Sequence, residues 1–147
     1  MTVKNSVTYG DGSPADPWLL KTPSLSSDYK AWRDETLAPP ALLVQVGTTT
    51  LSYHLRCIED LQAMLLERGD WVPLGNADEG KPVKPGTVEA WARDATNPVR
   101  GYYGLRKGYR GRFANYVAPV LELLGFAELE HGPRNNRIKA VGDRTTE

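Results

Sequence analysis

Few side chains in this chain can do chemistry, and their spacing limits what that chemistry could be. There is one cysteine, Cys57, and there are two histidines, His54 and His131. One Cys and two His fall short of the usual zinc sets. No serine stands with a histidine and an acid in a pattern that indicates a hydrolase. No Gly-Lys-Ser/Thr run marks a phosphate-cradling loop of the nucleotide-hydrolysing kind. Cys57 opens an apolar helical face, which predicts a buried, inert thiol. His54 alternates with apolar strand residues and is expected to face solvent. His131 closes a turn, with a structural role or a phosphate contact. Two carboxylate pairs remain. Glu59-Asp60 lie where a helix dipole favours negative charge. Asp78-Glu79 fall in a polar loop, where acid–base or metal chemistry competes with simple solvation, and solvation is the expectation. The residues thus point to a non-enzymatic protein with no cofactor and no metal.

The more informative pattern is a binding one. Residues 98–113, PVRGYYGLRKGYRGRF, contain Arg100, Arg106, Lys107, Arg110 and Arg112 and no acid. Tyr102, Tyr103 and Tyr109 alternate there with Gly101, Gly104, Gly108 and Gly111. Cationic side chains neutralise phosphates, amides flanking glycine can approach them, and tyrosine can stack on exposed bases. The competing reading is a solvated loop whose tyrosines pack into the core. Arg134-Asn135-Asn136-Arg137 form a second basic point, either a phosphate-touching wing or an ordinary polar turn. Asn115 lies two residues beyond the first segment and joins the candidate contacts. The formal net charge is zero. Residues 1–94, however, carry nine basic and thirteen acidic side chains, while residues 95–141 carry eight and three. The zero is a cancellation, so it does not exclude a polyanionic partner.

These residues need elements to position them. The chain has 147 residues, of which 40% are hydrophobic, including four Trp and seven Tyr most simply placed in a core. Such a length predicts one domain. Residues 1–17, rich in Gly, Ser, Pro and Asp, read as a flexible arm, and 142–147 as a flexible tail. Ser27 or Asp28 could cap a short helix through Tyr29, Trp32 and Arg33. Residues 41–46 and 49–55 read as strands joined at Gly47-Thr48. Residues 56–68 carry Ile58, Leu61 and Leu65 on one helical face, with Gly69 as a left-handed cap. Trp71-Val72 suggest a short strand or edge. Thr87 caps a helix facing Val88, Trp91 and Ala92 inward. From about Arg112 a second long helix buries Phe113, Tyr116, Val117, Val120, Leu121 and Leu124. Pro119 predicts a kink in it, or a fresh helix start. A hairpin follows, with Glu130 opposite Arg137, Glu128 opposite Lys139, Leu129 opposite Ile138 and Ala127 opposite Ala140. That register puts salt pairs on one face and apolar pairs on the other.

The order helix, basic linker, amphipathic helix ending in LLGF, then hairpin with the tip GPRNNR resembles the winged-helix family of DNA-binding domains. The resemblance covers about residues 87–141, and about 57–141 if the first long helix belongs to the unit. It implies that the helix before the hairpin approaches the major groove while the hairpin touches a neighbouring groove or the backbone. Winged helices also serve as protein-interaction modules. The whole chain also resembles an actinobacterial family of unknown function, through PADPW, GDWVPLGNADE, GTVEAW, GRFANYV and PRNNR. That likeness implies a cytosolic origin and no particular chemistry.

The expectation is therefore an α+β protein. Residues 18–141 would form one domain, a small N-terminal hairpin or sheet with helices and a winged-helix-like C-terminal half. The expected partner is DNA, as in a transcriptional regulator, held by Arg100, Arg106, Lys107, Arg110, Arg112, Asn115, Arg134 and Arg137. The alternative is a protein-interaction module of winged-helix type, a homodimer through the N-terminal hairpin. No apolar run is long enough for a membrane span, and the N-terminus does not read as a secretory signal. With a single cysteine, a cytoplasmic setting is expected.

Overall fold

The computed structural model describes residues 10–142. It is α+β. Strands β1 (Trp18–Lys21), β2 (Asp28–Asp34), β3 (Ala41–Val46) and β4 (Thr49–His54) form an antiparallel sheet in the order β1-β2-β3-β4. Helix α1 (Cys57–Arg68), strand β5 (Val72–Pro73), helices α2 (Val88–Trp91) and α3 (Phe113–Leu123), and strands β6 (Ala127–Leu129) and β7 (Arg137–Ala140) follow. The last three strands make a second sheet in the order β5-β7-β6. No helix among the described residues is long and apolar enough to cross a membrane.

The short helix expected through Tyr29, Trp32 and Arg33 is instead β2. Tyr29 and Ala31 point inward while Asp28 and Lys30 point out, a period of two. β2 lies between β1 and β3, so both edges of its backbone find partners. A helix of about six residues offers too few internal bonds to offset its nucleation cost, so sheet pairing wins. Residues 10–17 fold back on this sheet. The Arg33 amide donates to the Gly12 carbonyl at 2.8 Å. Gly12 lies against the Trp18 indole so closely that an added Cβ would stand 2.2 Å from the ring. The remaining parts of the expected arm and tail, residues 1–9 and 143–147, lie outside the described residues.

α1 matches its periodicity. Cys57, Ile58, Leu61, Met64 and Leu65 are buried, and Gly69, at φ 68°, donates its amide to the Leu65 carbonyl. The hairpin β6–β7 adopts the register in which Glu128 faces Lys139 and Leu129 faces Ile138. Glu130 then meets the Arg137 guanidinium at 2.6 Å. The Asn136 side chain closes the tip by accepting from the Gly132 amide at 2.7 Å and donating to its carbonyl at 3.0 Å.

α3 is the centre of the molecule, touching α1, α2, β1 and β6. It is buried from Phe113 to Leu121 except at half-buried Asn115. It neither stops nor restarts at Pro119, which sits buried in its interior. The expected fresh start is therefore absent. Proline withdraws the donor that the Asn115 carbonyl would use and crowds that turn. In the same turn the Tyr116 carbonyl accepts an added bond from the Tyr29 hydroxyl at 2.7 Å, which ties β2 to α3. Full burial contributes about 1.5–3 kcal/mol for each large apolar side chain, which outweighs one missing helical bond. Of the tryptophans expected in the core, Trp18 is buried, while Trp32, Trp71 and Trp91 are only partly covered.

Candidate nucleic-acid interface

The basic segment is anchored at its root by one amide side chain. Asn97 donates to the carbonyls of Trp91 and Gly101 at 2.6 and 2.8 Å and accepts from the amides of Val99 and Gly101. The next anchor is Tyr103, fully buried and stacked on Trp91 with 5.0 Å between ring centroids. Its hydroxyl donates to Asp60 at 2.8 Å. Burial, with the Asp60 carboxylate at its hydroxyl, pushes the Tyr103 pKa well up. Around Tyr103 the backbone pairs with the outer edge of β4: His54 donates to Tyr103, and Leu105 to Ser52, each at 2.9 Å. The segment thus covers an edge that would otherwise present unpaired backbone groups.

Beyond Leu105 the chain turns out to a basic tip and returns. The return is clamped by the loop carrying Asp78 and Glu79. The Glu79 carboxylate accepts from the Gly108 amide at 3.0 Å, the Arg110 amide at 2.6 Å and the Arg110 guanidinium at 3.0 Å. Burial pulls the Glu79 pKa up, but these donors outweigh it and hold the carboxyl below its ordinary range. The face of Tyr102 lies 4.0 Å from the same guanidinium. Arg112 donates to Asp78 at 2.6 Å and through its amide to the Ala77 carbonyl at 2.8 Å. Gly111 passes so near the Glu79 backbone that a Cβ there would lie 2.2 Å from its nitrogen. Of the solvated acidic pair expected at Asp78-Glu79, Asp78 is exposed while Glu79 is largely covered by its bond to Arg110. Both carboxylates are bound to arginines from a segment about thirty residues away.

Glu89 supports this clamp from below. It is fully buried on α2, and its carboxylate accepts from the Phe113 and Ala114 amides at 3.1 and 2.9 Å, at the start of α3. Arg93 reaches it at 3.5 Å and also donates to the carbonyls of Lys81, Ala77 and Asp78. Burial prevails over these donors and raises the Glu89 pKa. Sequence reading passed over Glu89. Its one signal was an acid inside an otherwise apolar helical turn, VEAW, where a charge has no solvent reason to be.

The eight candidate contacts separate by what they already hold. Arg106 and Lys107 are exposed at the tip, with the Arg106 guanidinium 4.3 Å from the Tyr109 ring centroid. Arg100 is exposed nearer the root, in a left-handed conformation at φ 64°. Arg110 and Arg112 are engaged by Glu79 and Asp78. Asn115 is half-buried in the first turn of α3. Arg134 is exposed at the hairpin tip, while Arg137 is bound to Glu130 and lies 5.2 Å from the Trp71 ring. The fold thus gathers Arg106, Lys107, Arg110 and Arg112 on one loop and places Arg134 and Arg137 on a separate hairpin.

The other reactive candidates are tied down. The Cys57 thiol is fully buried, and burial raises its pKa far above the useful range. His54 is half-buried, with its ring edge-on to Tyr103. His131 faces two acceptors, the Glu122 carboxylate at 2.6 Å and the Pro23 carbonyl at 2.8 Å. Among the described residues no three His, Cys, Asp or Glu side chains group as a metal site.

Comparisons with curated proteins and with solved structures give no match. Residues 10–141 match the model of a family of unknown function (DUF6855). That span takes in most of the chain, so the protein belongs to this family.

Proposed function

We propose that this protein binds nucleic acid, with DNA as the partner to test first, through the loop of residues 100–110. The observation that carries this reading is the division of labour among its cations. Arg110 is bound to Glu79, which also fixes the Gly108 amide, so the loop is held on its scaffold. Arg106 and Lys107 project from that fixed base, exposed and beside exposed Tyr109. A pre-shaped cationic loop loses little entropy on meeting a polyanion. Arg134 on the hairpin is a secondary contact. The winged-helix reading of residues 57–141 draws support from the order of α3 followed by the hairpin β6–β7, with β5 completing its sheet. It differs in one respect: α3 is covered, so the mechanism is phosphate neutralisation rather than base reading by a helix. The protein acts without catalysis in this reading.

The experiment is an anisotropy titration of labelled DNA at several salt concentrations. Affinity falls as salt rises, with a slope of about −0.9 per duplex phosphate neutralised. Arg106→Ala with Lys107→Ala makes that slope shallower by about two such contacts. Absence of binding at low salt overturns the proposal.

A second reading is an interaction module pairing as a homodimer. The hairpin expected to carry the pairing, β3–β4, has its outer edge covered by residues 103–105, whereas the outer edge of β1 ends the sheet, with Leu19 on it 50% exposed and Leu25 just beyond it 52% exposed. Light scattering after size exclusion tests it, and a strict monomer rejects it.

A further inference from the structure

We infer that the nucleic acid taken by the 100–110 loop is single-stranded, with the Tyr109 ring as the platform on which one base stacks. This rests on the reading of that loop as a phosphate-binding surface.

Two sets of observations lead there. The first concerns what could enter a duplex groove. α3, the helix before the hairpin, is buried along nearly its whole length. α1 turns Glu59 and Glu67 to solvent, and its Arg56 is bound to Asp60 at 2.7 Å. α2 is a single turn. The solvent side of the hairpin pairs Glu130 with Arg137 and sets Glu128 opposite Lys139. Its face is therefore neutral, and only Arg134 adds charge at the tip. Duplex reading needs a helix or ribbon with free polar or cationic side chains along one face. None of these elements offers one.

The second set concerns Tyr109 itself. Among the described residues it is one of six large apolar side chains left exposed, at 39%. Its neighbours on the loop are treated differently: Tyr103 is buried, and Tyr102 lies between the Arg110 and Arg93 guanidiniums at 4.0 and 5.5 Å. Tyr109 has only Arg106 over it, at 4.3 Å. The Tyr109 amide donates to the Arg106 carbonyl at 2.9 Å, and Glu79 grips the residues on either side of it, Gly108 and Arg110. The ring is thus carried by a fixed turn, flanked by Arg106 and Lys107. Unpaired bases expose the π-faces that such a ring can take, while duplex bases keep theirs stacked inside. Cations beside an exposed aromatic are the means by which single strands are held without sequence preference.

The test compares a labelled single-stranded oligonucleotide with the duplex of the same sequence, at the same low salt, by anisotropy. The single strand binds at least about tenfold tighter. Tyr109→Ala weakens single-strand binding about five- to 150-fold, the range expected for one lost base stack. It weakens duplex binding by a smaller factor than single-strand binding, and Tyr109→Phe retains the wild-type affinity. Equal or tighter binding of the duplex, or no effect of Tyr109→Ala on the single strand, overturns this inference and leaves the phosphate-binding loop standing. Binding of neither form overturns both.

Discussion

Glu79 holds Arg110 twice, at the guanidinium by 3.0 Å and at the backbone amide by 2.6 Å. One carboxylate therefore sets both the path of the chain and the direction of its side chain. Glu79→Ala leaves the exposed Gly108 amide to water and removes the acceptor of the part-buried Arg110 amide, and costs about 0.5–1.5 kcal/mol. Hydrogen exchange at those two amides speeds up in the variant more than at the Leu65 carbonyl's partner, Gly69. The Glu79 pKa is depressed by folding, so its contribution is present above its ordinary 4.5 and is lost as pH falls through the folded value. Chemical unfolding at descending pH, compared between wild type and variant, checks this.

Glu89 is a buried acid on which the start of α3 depends. Glu89→Ala removes the acceptor of the Phe113 and Ala114 amides and leaves Arg93 without its counter-charge. The expected loss is about 3–5 kcal/mol, since one member of a buried pair is left uncompensated. Glu89→Gln keeps an acceptor oxygen and loses less. Urea unfolding of the two variants separates the cases.

His131 makes a pH-dependent latch. Burial draws its pKa down, but the Glu122 carboxylate and the Pro23 carbonyl outweigh that and raise it above the ordinary value. With an acceptor at each ring nitrogen, the doubly protonated ring satisfies both. Its stabilisation is therefore full below about pH 6.5 and is lost as pH rises through the raised folded value. The difference in Tm between wild type and His131→Ala is larger at about pH 5.5 than at about pH 8.5.

Tyr29→Phe tests the buried bond between β2 and α3. Only the hydroxyl is removed, and the Tyr116 carbonyl loses its 2.7 Å donor inside the core. The cost is about 1–2 kcal/mol, measured by thermal or urea unfolding.

Where pattern and partner were both local, the sequence was readable. The i, i+3, i+7 spacing of Ile58, Leu61 and Leu65 in α1 reports a face directly, whereas in β4 only Tyr53 is buried and Leu51, Ser52 and His54 are alike half-buried. The hairpin register followed from requiring Glu130–Arg137 and Leu129–Ile138 to pair on opposite faces at once. β2 escaped because its identity depends on β1 and β3, neither of which a window around Tyr29 contains. The basic segment was legible as cations and tyrosines. Which cations stay free was not, since that depends on Asp78 and Glu79, more than thirty positions away for Arg112 and Arg110 alike.

The sequence by itself determined the helices α1 and α3, the hairpin's register and the concentration of positive charge in residues 95–141, because those depend on neighbours along the chain. Tertiary structure alone decided that α3 is sealed, that Glu89 is buried beneath its first turn and that Arg110 and Arg112 brace the loop while Arg106 and Lys107 face solvent. The reason is physical: a charge is bound or free according to what stands within a few ångströms of it. Only the folded chain sets that distance.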